Sequence, residues 1–175
     1  YLRAFAKETE LRLSHRLLAL DPKARELRFA NGAVAPYDRL ISSVPLPELI
    51  PLIVGVPDRV VEASKRLACT TCVVVNIGVN RSDISNAHWT YFYDRDVFFT
   101  RLTFPHMLSP NNAPPKAGSI QAEVYYSAKY RPLDRSPAEC VAPVIADLKR
   151  CGLLREDDEI SFRNARLVPY ANVIF

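Results

Sequence analysis

The cleanest alternation in the chain runs over residues 72–79. Val73, Val75, Ile77 and Val79 fall on one face, and Val74, Asn76 and Gly78 on the other. A period of two predicts a central strand with one apolar side. Residues 119–127 alternate in the same way, with Ile120, Ala122, Val124 and Tyr126 opposed to Gln121, Glu123 and Tyr125. Between them lies an aromatic stretch that reads as two strands, residues 88–93 and 97–104, around Asp94-Arg95-Asp96. If those three residues form the loop, Tyr93 pairs with Val97, Tyr91 with Phe99 and Trp89 with Arg101. Trp89, Tyr91, Phe99 and Arg101 then share a face. An arginine stacked on tryptophan contributes about 0.5–2 kcal/mol. A purely structural aromatic ladder is the competing reading of this spacing.

The helical period appears twice. After Pro57, the residues Val60, Ala63, Ser64 and Leu67 line one face, with Asp58 in the first turn and Lys65 and Arg66 in the last. That charge placement complements the helix dipole. Ser136-Pro137-Ala138-Glu139 is a capping box with proline at the first helical position. It predicts a helix with a Val141, Ile145 and Leu148 stripe and a C-terminal stop at Gly152. Pro143 conflicts with an uninterrupted helix, so a kink or a later start is expected.

Ahead of these elements the pattern predicts a small β-meander. Residues 1–9 read as the end of a helix and residues 11–20 as a strand. Asp21-Pro22-Lys23 forms a turn, and Leu27 and Phe29 mark the return strand. Asn31-Gly32 is a hairpin signal, and residues 34–37 add a third strand. Residues 39–44 read as a short apolar strand ended by Pro45, and residues 47–50 as one helical turn. Residues 109–118 form a loop and residues 163–175 are extended. The fold class is α+β: a mixed, largely antiparallel sheet with flanking helices, preceded by the meander. Residues 1–45 form the meander with its returning strand, and residues 46–175 the α+β domain, together one compact unit.

Composition narrows the function. Among 175 residues, 49% are hydrophobic and 24% charged, and the net charge is +4. A chain of this length buries a core without staples. Its basic residues are spread rather than clustered, which argues against a nucleic-acid surface. The apolar stretch of residues 40–57 is broken by four prolines, which excludes an ordinary transmembrane helix. Five glycines, none in a G-x-G-x-x-G or P-loop spacing, leave the chain without a glycine-rich phosphate loop of its own. The chain opens at Tyr1 and its one methionine is Met107, so a processed or excised piece of a longer protein is expected.

Cys69 and Cys72 form C-T-T-C, while Cys140 and Cys151 lie far downstream. No histidine stands at zinc spacing and no helix start follows the pair. Buried reduced thiols and a cytoplasmic location are the expectation, with no metal. His15, His88 and His106 fit no metal pattern, and Glu156-Asp157-Asp158-Glu159 reads as a solvated loop. Glu123 on a polar strand face suits ligand binding or a salt bridge. What remains is a sheet face with aromatics and an arginine, suited to a planar or phosphorylated ligand.

Several segments, taken in order, resemble one family. They are Leu17-Leu18-Ala19-Leu20-Asp21, Phe29-Ala30-Asn31-Gly32, and Tyr37-Asp38-Arg39-Leu40-Ile41-Ser42-Ser43-Val44-Pro45. They are similar to the FAD-dependent amine oxidase and protoporphyrinogen oxidase superfamily. The stretch from His88-Trp89-Thr90-Tyr91 through Phe99-Thr100-Arg101-Leu102 resembles its UDP-galactopyranose mutase branch, and Ile120-Gln121-Ala122-Glu123-Val124 continues the likeness.

The resemblance implies FAD in the parent protein, with the glycine fingerprint in sequence that precedes this chain, so the fragment alone is not expected to retain FAD. It implies contacts to the cofactor from Leu17, Leu18, Ser42, Ser43, Val44 and Pro45. It places Thr100 and Arg101 toward a small-molecule substrate, an amine or a nucleotide sugar; Trp89 and Tyr91, as walls or as packing, and Glu123, from the strand pattern, are the further substrate-side candidates. Mutases of this kind carry a glutamate shortly after the arginine, and here Leu102-Thr103-Phe104-Pro105 follows instead. The expected function is an internal substrate-binding domain of an FAD-dependent oxidoreductase. The alternatives are a mutase-like isomerase using reduced FAD and a standalone binding module without flavin.

Overall fold

In a computed structural model, which describes residues 2–174, the chain divides at Leu67 into two compact units. The first begins with helix α1 (Leu2–Glu8). Strand β1 (Leu17–Asp21) pairs antiparallel with β2 (Glu26–Phe29), which pairs with β3 (Val34–Pro36). The Asp21 carboxylate accepts from the Lys23 and Ala24 amides at 2.9 Å each, so one side chain makes the first turn. The second turn is closed by the Gly32 amide donating to Phe29 O at 3.0 Å, with Gly32 at φ +82°. That angle is why asparagine-glycine was a sound hairpin signal. Helix α2 (Leu46–Leu49), one 3₁₀ turn (Ile50–Leu52) and α3 (Asp58–Lys65) complete this unit.

Two expectations fail here. The strand over residues 11–20 shrinks to β1, because Ser14 sits at φ +59° and breaks the extended path. Residues 39–44 form no strand. No described strand pairs with them, Ile41 is 98% exposed, and the Val44 amide turns back onto Ser42 Oγ at 3.2 Å.

The second unit opens with β4 (Ala68–Cys69) and β5 (Thr71–Val79). There follow β6 (Trp89–Tyr91), β7 (Arg101–Thr103), helix α4 (Pro105–Leu108) and β8 (Gly118–Tyr126). Helix α5 (Val141–Arg150), β9 (Ile160–Val168) and β10 (Val173–Ile174) close the unit. Five strands make one antiparallel sheet in the order β6-β7-β8-β5-β9, and β10 pairs with β4.

One face of this sheet is the core. Val73, Val75, Ile77 and Val79 from β5 meet Ile120, Ala122, Val124 and Tyr126 from β8, all nearly inaccessible. Leu102, Phe99 and Phe104 extend the cluster, and Cys140, Val144 and Leu148 cover it from the helical side. Of the anticipated helix stripe, Leu148 is fully buried, and Val141 and Ile145 only partly.

Pro143 is accommodated by a later start. The capping box begins a 3₁₀ turn (Pro137–Cys140), and α5 begins at Val141. Pro143 therefore lies in the first α-helical turn, where its missing N–H costs little. Gly152, at φ +70°, stops the helix as expected, its amide donating to Lys149 O.

The aromatic strands pair in a different register from the expected one. Trp89 lies opposite Thr103, and Tyr91 opposite Arg101. The loop is longer than three residues because its middle is spoken for. Phe92 and Phe99 turn inward and meet edge to face at 5.0 Å. The Phe98 amide donates to Asp147 Oδ2 at 2.6 Å, and Arg150 holds Asp96 by side chain and carbonyl. Phe99 thus belongs to the core, not to the exposed aromatic face.

Candidate functional site

The other sheet face is polar, and its rows follow directly from the register. Tyr91, Arg101, Glu123, Val74 and Arg166 stand in one row across the five strands. Cys72, Tyr125 and Val168 lie one row to one side, and Thr103, Gln121, Asn76 and Asn164 one row to the other. A cleft of about 420 Å³ opens over the first two of these rows. It is lined by Cys72, Val74, Tyr91, Arg101, Glu123 and Tyr125, with Val168, Ala171 and Asn172 at its far wall.

Glu123 is the buried centre of the cleft, with its side chain 7% exposed. Its Oε1 accepts from Arg101 Nη2 at 2.5 Å, and its Oε2 accepts from the Tyr125 hydroxyl. Both carboxylate oxygens are therefore engaged. Burial of this kind is tolerable only because the charge is paired and hydrogen-bonded.

Arg101 is held from the other side by the Tyr91 hydroxyl, which accepts from Nη1 at 3.3 Å. Its guanidinium lies 5.8 Å from the Tyr91 ring centre. Each terminal nitrogen carries two N–H groups, so Arg101 retains donors toward the cleft. Its Nε is buried and has no partner.

The electrostatics follow from this arrangement. Arg101 is raised above its ordinary range, first by its bond to Glu123 and then by the bond to Tyr91. Tyr125 is pushed up to about 12, by burial first and by the Glu123 carboxylate next. The Cys72 thiol is likewise pushed up to about 12 by burial and then by the Glu123 charge. The phenol and the thiol are neutral at physiological pH, so the charged groups lining the cleft are one guanidinium and one carboxylate, mutually paired.

The structure brings Tyr91, Arg101 and Glu123 into one cleft. Trp89 stands a row away, 55% exposed, opposite Thr103 rather than Arg101. Thr100 is half-buried beside Arg101, its amide donating to Glu123 O at 2.9 Å. Tyr125 was visible in the alternation but was not singled out. Asn172 and Ala171 gave no local signal, since β9 and β10 reach the cleft only through long-range pairing.

Leu17, Leu18 and residues 42–45 belong to the first unit. Leu18 is the extra residue of a β-bulge between Leu17 and Ala19, and is half-exposed. Ser42, Ser43 and Val44 are exposed and Pro45 is partly so.

All four cysteines are free, and no cluster of metal-ligating side chains occurs among the described residues. No helix among them is long and apolar enough to cross a membrane. The glycines build no phosphate cradle. Gly32, Gly55 and Gly152 are positive-φ turn residues, Gly78 is crowded by Phe162 and Ser161, and Gly118 is crowded by Arg81 and Ile84. None of the five glycines therefore serves as a glycine-rich phosphate loop.

The fold and cleft define an α+β domain with one covered sheet face and one open polar face. A sequence profile of flavin-containing amine oxidoreductases matches residues 1–171, and the chain belongs to that family. No curated protein matches it. A crystal structure of reduced UDP-galactopyranose mutase superposes with a TM-score of 0.86 at 24% identity, over 97% of this chain and 38% of that one. A protein from Exiguobacterium sp. 255-15 assigned as a protoporphyrinogen oxidase gives 0.67 at 18% identity, over 98% and 39%. The PF1083 protein from Pyrococcus furiosus gives 0.67 at 11% identity, over 87% and 36%. The likeness at these identities is one of fold, and the chain spans well under half of each of these structures.

Proposed function

We propose that this chain is the substrate-side part of a flavin-dependent oxidoreductase, and that the cleft around Arg101 receives an anionic or hydroxyl-rich substrate. The observation that carries this reading is the state of Glu123. A cationic amine is best met by an unpaired carboxylate, whereas the Glu123 charge is already paired with Arg101 and bonded by Tyr125. Donors are what the cleft offers instead, in the remaining N–H groups of Arg101; Arg166 lies outside the lining, exposed on the same strand row. A guanidinium suits a carboxylate or phosphate because its paired N–H groups match their oxygens.

In this reading Glu123 and Tyr91 hold the guanidinium in one orientation, so little is lost in ordering it when the substrate arrives. Tyr91 walls one side of the cleft and Asn172 the other. Trp89 and Thr100 support the rim rather than the floor. In this reading Leu17, the bulged Leu18 and residues 42–45 are the segments of the first unit that would contact the adenosine and pyrophosphate of the cofactor. The family's flavin supplies redox chemistry, and this chain supplies charge and orientation.

The test uses the full-length protein and UDP as an anionic probe, suggested by the mutase neighbour's name. Arg101→Lys keeps a cation for Glu123 but loses the two-pronged geometry. It should weaken UDP binding about tenfold with flavin content unchanged. Arg166→Ala, exposed on the same row outside the cleft lining, should weaken it about two- to fivefold through lost long-range attraction. Loss of flavin in parallel with loss of UDP affinity would show Arg101 to be structural and overturn the assignment.

A further inference from the structure

The five-stranded sheet ends on one side at β9, and that edge is long and bare. The strand order places β9 outermost, hydrogen-bonded within the sheet to β5 alone. Among the described residues, none pairs with the outward backbone groups of residues 160–168. Ser161, Phe162 and Arg163 are exposed, as are Arg166, Leu167 and Val168. Edges that stay single are usually short, bulged or interrupted by proline. Over its nine residues β9 has no proline, and its one irregularity lies at the end near Ile160.

A row of side-chain amides runs across the sheet into this edge. Gln121 Nε2 donates to Asn76 Oδ1 at 2.9 Å, and Asn76 Nδ2 donates to Asn164 Oδ1 at 2.9 Å. Both bonds point the same way, toward β9. Asn164 therefore stands at the edge with its Nδ2 donor unspent among the described residues and a lone pair left on Oδ1. A donor and an acceptor on one amide are what a second, inverted copy of the same amide pairs with.

Asn164 is also the midpoint of Ile160–Val168. Two copies of β9 paired antiparallel about Asn164 overlap along the whole strand, and residues opposite each other share a face. On the open face Asn164 meets the partner's Asn164. The exposed Arg166 meets the partner's Phe162, a ring 54% exposed in the single chain, so a guanidinium lies against an aromatic ring on both sides of the axis. On the other face Leu167, 42% exposed, meets the partner's Ser161, and Ala165 meets the partner's Arg163.

No arginine opposes another in this register. With both open faces on the same side of the joined sheet, the neighbouring registers centre on Arg163 and on Ala165. The first sets two arginines face to face, where like charges repel. The second leaves Ile160 and Ser161 outside the overlap and breaks the amide row by placing Arg166 opposite Asn164.

We infer that β9 is a self-association edge, through which two copies of this chain join their five-stranded sheets into one, with the amide row continuing across the two-fold axis. A closed two-fold pairing covers both bare edges at once and leaves no free end to propagate. The assignment needs no ligand in the Arg101 cleft and does not rest on the function proposed for it.

Sedimentation of the full-length protein over a range of concentrations tests it, and the mass should rise to that of two chains. Asn164→Lys ends the amide row and sets two like charges against each other at the axis, so it should weaken association at least about tenfold. Tyr93→Lys, at an exposed position beyond the opposite edge strand, should leave association unchanged. Asn164→Cys reads the register separately. Cβ atoms directly opposite each other lie about 4.5–5.5 Å apart, so mild oxidation should link two chains through position 164, as identified by peptide mass spectrometry. Ser161→Cys, opposite the partner's Leu167, should not link to its own copy. A protein that is monomeric at every concentration, with β9 covered by other parts of the polypeptide or left bare, would overturn the proposal. So would a dimer that Asn164→Lys leaves intact, or one that Asn164→Cys does not link.

Discussion

At the residue scale, the open face is organised by buried polar groups that satisfy one another. Glu123 holds Arg101 and is itself held by Tyr125, and burial around this cluster keeps nearby groups protonated. Cys72 is the clearest case, with its thiol pushed up to about 12 by burial and by the Glu123 charge. Thiolate, not thiol, is the reactive form. Cys72 and Cys140 are buried, whereas Cys151 is exposed at the end of α5. In native protein at pH 8, iodoacetamide should label Cys151 first, with Cys72 and Cys140 protected until denaturant is added. Peptide mass spectrometry reads this directly, and early labelling of Cys72 would contradict the burial described.

At the element scale, the second unit is tied together at the exit of β5. Arg81 grips Asp158 through Nε at 2.6 Å and Nη2 at 2.8 Å, and also donates to Leu153 O at 3.0 Å. Arg155 reaches Asp83 at 2.9 Å. The side chains of Arg81 and Asp158 are 14% and 7% exposed, so solvent screens this pair weakly. The Arg81 bonds hold the Asp158 carboxyl below its usual range. A depressed folded pKa adds stability above the unfolded value, about 3.9, and that stability is lost as pH falls through the folded value. The melting temperature should therefore drop on acidification below about pH 4. Asp158→Asn should melt lower at pH 7 and lose less between pH 5 and pH 3. An identical acid limb in both proteins would remove the pair from the account.

The same scale explains what could be read in advance. The two long alternating segments became β5 and β8, in the facing order their pattern required, because each has one wholly apolar side. The capping box and Gly152 marked both ends of the second helix for local reasons. The aromatic hairpin slipped by two residues because Phe99 gains more in the core than on the face, and no local pattern reports that. Residues 39–44 have strand composition but no described partner, and composition alone does not supply one. Within the cleft, Arg101 and Glu123 were legible as polar members of strands. Their pairing across β7 and β8, and the approach of Asn172, depend on contacts distant in sequence.

At the scale of the whole molecule, the second unit has one closed and one open sheet face. One sheet face and α5 make a closed core that fixes the register, and the other face presents the Arg101 cleft from the same strands. Precision of this kind comes from placing side chains on a sheet rather than on loops. Family membership brings a flavin into the account, while the glycines of this chain build no phosphate cradle. On the function proposed above, the open face handles substrate. A crystal structure of the full-length protein with UDP bound tests that most directly. Phosphate oxygens should lie within hydrogen-bonding distance of the Arg101 guanidinium, with Glu123 still paired to it. Phosphates bound elsewhere, with the Arg101–Glu123 cleft covered by other parts of the protein, would contradict it.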